Sequence, residues 1–330
     1  MTGLVHIADP PASATPGRRS RVKTARVIVF VVLTAGFLVL AALRVFGIDG
    51  NRLTAALLAL TPYWTICGLL VGGLALGFRH WWIGGVAVAV AIALVAMVLP
   101  RTFPANRPEA HGAKLRVMSS NQYLGKADVD SVVRLVRDSQ VDVLNLLELT
   151  PREVTEFESA GLFDLLPYRV LKPVRGANGS GIASRYPLSE LSLVGPGEME
   201  QPSARIVVGA TPVDIVAVHT VAPVASASLW KHDMARLPRP DAQGPVRVLA
   251  GDFNATLDHA ALRDLLDAGY TDAADNRGAG FVPTWPSGLL PPPVTIDHVL
   301  VDPRVAVDGY RVLDVPDSDH NAAFAELTLP

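Results

Sequence analysis

Residues 246–250 are a run of β-type residues that leads into Gly251-Asp252-Phe253-Asn254, a carboxylate followed two positions later by a carboxamide. In an extended chain that spacing puts both side chains on one side. Two Asp-His pairs follow. Asp297-His298 comes after the β-type residues 294–296, and Asp319-His320 lies near the C-terminus. Three more polar residues close or follow apolar runs: Asn121 after 115–118, Glu148 after 141–147 and His219 after 213–218. A Glu that ends an apolar strand needs a partner, because an isolated buried carboxylate is costly. Carboxylates and imidazoles gathered in this way can take a proton from water, hold a hard cation and balance charge on a phosphoryl group. His298, next to Asp297 in an extended segment, points to the opposite face and is expected to pack in the core.

The elements that must position these residues alternate between short β-runs and helical patterns. Val129, Val132, Val133 and Val136 recur at helical spacing within 128–138. Residues 260–267 form a second helical pattern, and Trp230, Met234 and Leu237 fit a packed helix face. Strands are expected at 115–118, 141–147, 181–183, 206–208, 213–218, 246–250, 294–301 and 323–328. Many strands with few helices indicate a layered α/β sandwich, and in such folds sites are built at strand ends and their loops.

The part before residue 114 is different in kind. Residues 1–113 carry 10 Lys/Arg and 3 Asp/Glu, whereas 114–330 carry 19 Lys/Arg and 28 Asp/Glu. An acidic C-terminal domain disfavours nucleic acid as a partner, which needs a basic face. The single cysteine, Cys67, lies in an apolar stretch, so no disulfide forms within the chain. Residues 1–26 read as a disordered basic tail, with Arg18, Arg19, Arg21, Lys23 and Arg26 clustered at its end. Apolar runs at 27–43, 53–78 and 81–99 read as three transmembrane helices within 27–100. Arg79, His80, Trp81 and Trp82 between the last two have the character of interface residues. The basic tail then belongs in the cytoplasm, and three crossings put the remaining domain outside the cell. Residues 101–113, with Pro104 and Pro108, read as a short stiff linker. The catalytic domain is expected over 114–330.

Taken together and in order, seven segments resemble the endonuclease/exonuclease/phosphatase (DNase I-like) superfamily. They are Ser120-Asn121, Leu147-Glu148, Gly181-Ile182-Ala183-Ser184-Arg185, Val218-His219-Thr220, Gly251-Asp252-Phe253-Asn254, Thr295-Ile296-Asp297-His298-Val299 and Ser318-Asp319-His320. Each is weak alone; their order and spacing make the signal specific. The three preceding helices resemble the membrane-anchored branch of teicoplanin-resistance proteins typified by VanJ. The resemblance implies a four-layer α/β sandwich and a Mg²⁺ cofactor, with Mn²⁺ as a substitute. Glu148 would hold the metal, with Asn121 and Asp319 beside it or orienting its waters. Asp252 would accept a proton from the attacking water, and Asn254, with Asn121, would bind substrate. His320 would bind the phosphoryl group, with Asp297 on its other N–H, and His219 would contact phosphate or assist the leaving group. Thr284 and Trp285 are expected at the rim.

Two departures shift the expected substrate. No counterpart stands out for the tyrosine that some nucleases of this family direct at phosphate, with Tyr168 and Tyr186 near only in sequence. Nor is there a long basic insertion to grip DNA. Both favour a smaller phosphate ester over DNA, and the membrane helices favour a bilayer-borne one. The resemblance to the VanJ branch implies a membrane-anchored phosphohydrolase acting on a lipid-linked phosphate or pyrophosphate of the cell envelope, an undecaprenyl-pyrophosphate-like substrate. Glycopeptide (teicoplanin) resistance would be its consequence. The alternatives are a phosphodiesterase acting on phospholipid head groups or nucleic acid, and a non-catalytic sensor of lipid phosphate.

Overall fold

The computed structural model describes residues 18–106, 108–288 and 292–330. Its N-terminal part is helical: α1 (Arg18–Phe46), α2 (Arg52–Ala59), α3 (Thr61–Gly77) and α4 (Trp81–Val98). Two helical spans, Arg21–Phe46 and Trp81–Thr102, are long and apolar enough to cross a membrane. The run 53–78, expected to be one helix, is instead a pair bent by 71° between α2 and α3. Pro62 at the start of α3 explains the break, since it lacks an N–H and crowds the preceding turn. The freed carbonyls are recaptured: Trp64 Nε1 donates to Leu57 O at 3.0 Å and Thr61 Oγ1 to Leu58 O at 2.7 Å. With the bent pair counted as one, there are up to three candidate spans among the described residues.

The disordered tail expected over 1–26 is corrected from Arg18 onward, where helix α1 has already begun. Arg and Lys are good helix formers, so the helix propagates backward from its apolar part through the basic cluster. Residues 1–17 lie outside the described residues.

The C-terminal part runs β1 (Lys114–Asn121), α5 (Val129–Asp138), β2 (Val143–Leu147), α6 (Pro151–Ser159), α7 (Leu162–Leu165), β3 (Tyr168–Lys172), β4 (Ser180–Ser184), β5 (Ser189–Leu191), β6 (Ser203–Val208) and β7 (Thr211–His219). It continues through α8 (Pro223–Arg236), β8 (Val246–Asp252), α9 (Ala260–Asp267), β9 (Thr271–Asp272), α10 (Ala273–Asn276), β10 (Asp297–Val301), β11 (Ala306–Leu313) and β12 (Ala322–Thr328). Among the described residues these strands form two six-stranded sheets, ordered β11-β12-β1-β2-β4-β3 and β5-β6-β7-β8-β10-β9. Each sheet has one parallel pair at its centre, β1 with β2 and β7 with β8.

The sheets stack face to face around a core that includes Val117, Val143, Ile215, Val248 and Val299. Helices α5, α6 and α7 cover the outer face of the first sheet, and α8 and α9 that of the second. The result is the four-layer α/β sandwich expected from sequence. Buried Asn145 spans the two sheets: its Nδ2 on β2 donates to Val216 O at 3.1 Å and Ala250 O at 2.8 Å. The central strands end on one side of this sandwich. Their register aligns His219 of β7 with Asp252 of β8, and Asp252 with Asp297 of β10.

The helical part docks on the sandwich through buried charge. Arg44 Nε, at the end of α1, donates to Asp258 Oδ1 at 2.6 Å. Arg101, just after α4, donates to both oxygens of Asp258 at 3.0 Å. Asp49, between α1 and α2, accepts from Lys231 at 2.8 Å. The segment after α4 also lies on the sandwich, with Ala105 N donating to Asn276 O at 2.8 Å.

Candidate active site

Three central strands deliver the acid–imidazole cluster. Asp252 closes β8, Asp297 opens β10 opposite it, and His320 sits on the turn before β12. Their ligand atoms lie within 4.8 Å of one another, and all three side chains are buried. His320 Nδ1 and Asp297 Oδ2 are 2.9 Å apart, which orients the ring and leaves Nε2 facing Asp252 Oδ2 at 3.8 Å. The strand expected from residue 294 begins only at Asp297, because Thr284 Oγ1 accepts the N–H groups of both Ile296 and Asp297 at 3.0 Å. That hydroxyl pins Asp297 where β10 starts. Gly251 has a packing reason as well. A Cβ there would lie 1.9 Å from Val218 O, so only glycine lets β8 approach β7 just before Asp252.

Glu148 follows β2 with a left-handed φ of 56°, an uncommon conformation for a residue with a side chain. Such backbone outliers concentrate at functional positions. Leu124 N donates to its Oε2 at 2.8 Å, and Asn121 Nδ2 donates to its Oε1 at 3.2 Å. Asn121 Oδ1 accepts from Tyr123 N at 3.0 Å, so both polar ends of Asn121 are used in holding this corner. Asp319 Oδ2 accepts from Trp285 Nε1 at 3.2 Å. His219 Nε2 lies 4.0 Å from Glu148 Oε1, and its Nδ1 is buried without a partner. Asn254, with a left-handed φ of 48°, donates from Nδ2 to Thr220 O at 3.0 Å.

Electrostatics separate the roles these groups can take. Burial, then the Asp297 charge, pushes Asp252 up to about 7. His320 goes the other way from a buried imidazole. Burial disfavours its charge, but Asp297 and Asp252 override that and push it up to about 10. His219 is driven down to about 3 by burial and by the His320 charge, and so stays neutral. The cluster thus pairs a carboxylate able to take a proton near neutral pH with an imidazolium that keeps its own. Burial and the nearby Asp319 carboxylate raise Glu148, and a cation there would relieve both effects. Glu148 and Asp319 offer hard carboxylate oxygens of the kind a magnesium-like ion takes, with Asn121 bracing Glu148. The Asp252–Asp297–His320 group could also hold a metal, but His320 already supplies a positive charge between the two carboxylates.

Glu148, His219, Asp252, Asn254 and His320 line one cavity of about 590 Å³, together with Trp285 at its rim. Asp297 stands behind His320, and Asn121 behind Glu148. His298 points to the other face of β10, with Nδ1 2.8 Å from Asp272 Oδ2 and Nε2 2.8 Å from Ala255 O, and is fully buried. The sequence reading missed one wall of the cavity: Ala55, Ala56 and Ala59 of α2, more than sixty positions before Asn121, the first candidate site residue. Small apolar residues in an apolar run carry no chemical signal.

The profile of the endonuclease/exonuclease/phosphatase family matches residues 118–320, which takes in every cluster residue. The chain belongs to this family. Its members hydrolyse phosphate esters and use a divalent metal. No curated protein matches the chain. Among solved structures it is similar to an endonuclease/exonuclease/phosphatase from Beutenbergia cavernae, at 18% identity and TM-score 0.50, covering 66% of this chain and 72% of that one. A humanized TDP2 from D. rerio aligns at 15% identity and TM-score 0.52, covering 65% and 98%. The 3′ phosphatase NExo from Neisseria, bound to product DNA hairpin, aligns at 20% identity and TM-score 0.51, covering 64% and 98%. At such identities the likeness concerns the fold.

Proposed function

We propose that this family member is a membrane-anchored, Mg²⁺-dependent phosphohydrolase acting on a lipid-linked phosphate or pyrophosphate of the cell envelope, an undecaprenyl-pyrophosphate-like substrate. One observation carries this reading: the acid–imidazole cluster and the apolar helix α2 line the same cavity. A phosphate bound at His320 therefore has a hydrocarbon-compatible wall beside it, and that wall belongs to the helical part. The acidic sandwich supports a small phosphate ester over DNA.

The chemistry is an in-line displacement by water. Asp252 takes the proton of the attacking water as its oxygen bonds to phosphorus. His320, held by Asp297, stabilises the charge that develops on a phosphoryl oxygen. Asn254 holds another such oxygen. Neutral His219 contacts the phosphate or the leaving group, whose bond to phosphorus breaks. A divalent cation held by Glu148 and Asp319, with Asn121 bracing Glu148, supplies charge neutralisation when bound.

The test is phosphate release from a panel of lipid phosphates and pyrophosphates by the full chain in detergent or nanodiscs, with Mg²⁺ and with chelator. Release that stops on chelation and is lost in Asp252→Ala and His320→Ala is expected. Turnover that survives complete chelation, or unchanged turnover in both variants, would overturn the mechanism. Head-group release without inorganic phosphate would instead indicate a phosphodiesterase. In cells, disabling Asp252 is expected to change sensitivity to glycopeptide antibiotics.

A further inference from the structure

The apolar part of the catalytic cavity has two walls. One is α2, through Ala55, Ala56 and Ala59. The other is the start of α8 with the loop before it, residues 221–225. Ala59 and Val294 also line a second cavity of about 450 Å³. This one runs past Ile66 of α3 and Val95 and Val98 of α4, opposite Leu257 and Phe281 of the sandwich. Ala59 and Val294 are thus the sill between the catalytic cavity and a space bordered by the helices apolar enough to cross a membrane.

The polar side chains along this path are already engaged. Tyr63 donates its hydroxyl to Pro293 O at 2.7 Å, Thr65 to Thr61 O at 2.9 Å and Thr295 to Val282 O at 2.7 Å. Thr220 in the first cavity donates to Phe253 O at 2.8 Å. Arg101 and Asp258 satisfy each other. A sugar or a base placed here would leave its own polar edges unmatched, which is costly. Hydrocarbon would lose nothing and would be removed from water. The wall is also fixed in place: His259 Nε2 lies 2.9 Å from Ala55 O.

We propose that this path binds the hydrocarbon chain of a lipid phosphate. Its phosphoryl group lies at His320, its first carbons lie against Ala55, Ala56 and Ala59, and the chain crosses the Ala59–Val294 sill toward α3 and α4. The identity of the head group rests on the phosphohydrolase reading above; the chain site itself does not. The alanines of α2 then determine specificity, because their short side chains leave the room that the chain fills.

Two measurements test this. The first compares kcat/KM for a long-chain lipid phosphate and for a short water-soluble phosphate ester in Ala59→Phe. The ratio of long to short is expected to fall about tenfold or more, the size of effect that filling an apolar subsite produces. The second needs no turnover and only a mild substitution. Ala59→Cys in a Cys67→Ala background, in nanodiscs, is labelled with a thiol reagent alone, with the long-chain lipid phosphate, and with inorganic phosphate. Slower labelling with the lipid phosphate but not with inorganic phosphate is expected. Labelling that the lipid phosphate does not slow, with an unchanged kcat/KM ratio in Ala59→Phe, would overturn the chain site even if phosphate is released. Protection without any phosphate release would support the chain site and overturn the phosphohydrolase reading instead.

Discussion

At the scale of residues, Asp297 sets the charge of the cluster. It takes no wall of the cavity, yet it holds His320 at 2.9 Å and raises both His320 and Asp252. Proton transfer to Asp252 requires its ionised form, so activity should rise as pH passes about 7. Charge stabilisation by His320 requires its protonated form, so activity should fall as pH passes about 10. A bound cation would draw the lower limb to more acidic pH. Asp297→Asn should reduce kcat by about 10²-fold or more and move the alkaline limb to lower pH, which a pH–rate profile at saturating substrate would show. A fall in kcat with an unmoved alkaline limb would deny Asp297 its part in charging His320. Stability falls with rising pH on both groups, unlike activity, which rises on the Asp252 limb. His320 stabilises fully below its ordinary 6.5 and loses that contribution through about 10, and Asp252 below 3.8 and through about 7. The metal-free protein should therefore melt at a lower temperature at pH 10 than at pH 6, as calorimetry in chelator would measure. The members of this cluster were legible in sequence because chemistry restricts which residue types can stand at those strand ends. The pairing was legible only through the family resemblance, since Asp297 serves His320 and not its neighbour His298.

At the scale of elements, α2 and the segment around Asp258 decide how the helices meet the sandwich. Asp258 is 1% exposed and receives two guanidinium groups, each itself nearly buried. Removing the carboxylate alone strands two cations. Asp258→Asn should therefore cost about 3–5 kcal/mol of stability, read as a lowered melting temperature in detergent. Replacing all three with apolar residues, Arg44→Met, Arg101→Met and Asp258→Leu, should recover most of that loss, because hydrophobic replacement of a whole buried ion group is often neutral or stabilising. An Asp258→Asn protein as stable as the parent would show that the contact contributes nothing. The strongly patterned elements were legible: α5 from the helical spacing of its valines, and the buried β2, β7 and β8 as short β-type runs. Others were not. Strands β5 and β9 are three and two residues long, too short to show alternation, and β3 is half-exposed. The break at Leu60 hid in a run whose hydrophobicity continues through it, and the Arg44–Asp258 contact joins positions 214 apart. Local pattern carries no information about such a pairing.

At the scale of the whole molecule, both ends of the helical bundle can be identified. The C-terminal ends of α1 and α4 meet the sandwich through Arg44 and Arg101. At the other end, the Arg26 guanidinium stacks over Phe78 at 4.5 Å, which brings the start of α1 to the turn between α3 and α4, where Arg79 and His80 stand. The chain therefore runs along the bundle three times, with α2 lying at the sandwich end. At about 1.5 Å per residue, the 17 residues of α3 span roughly 26 Å, close to the hydrocarbon thickness of a bilayer. The basic residues divide unevenly in their freedom. Arg44 and Arg101 at the sandwich end share the buried Asp258 carboxylate, whereas Arg21, Lys23, Arg26 and Arg79 at the other end have no such buried carboxylate among their described contacts. By the positive-inside rule, the unpaired basic end is the one expected to face the cytoplasm. If the three candidate spans all cross, the sandwich is expected on the outer side. Protease added to intact spheroplasts should digest the sandwich while the N-terminal end stays protected, and opening the membrane should expose that end. A sandwich that survives until the membrane is opened would reverse the orientation and assign the active site to the cytoplasmic face.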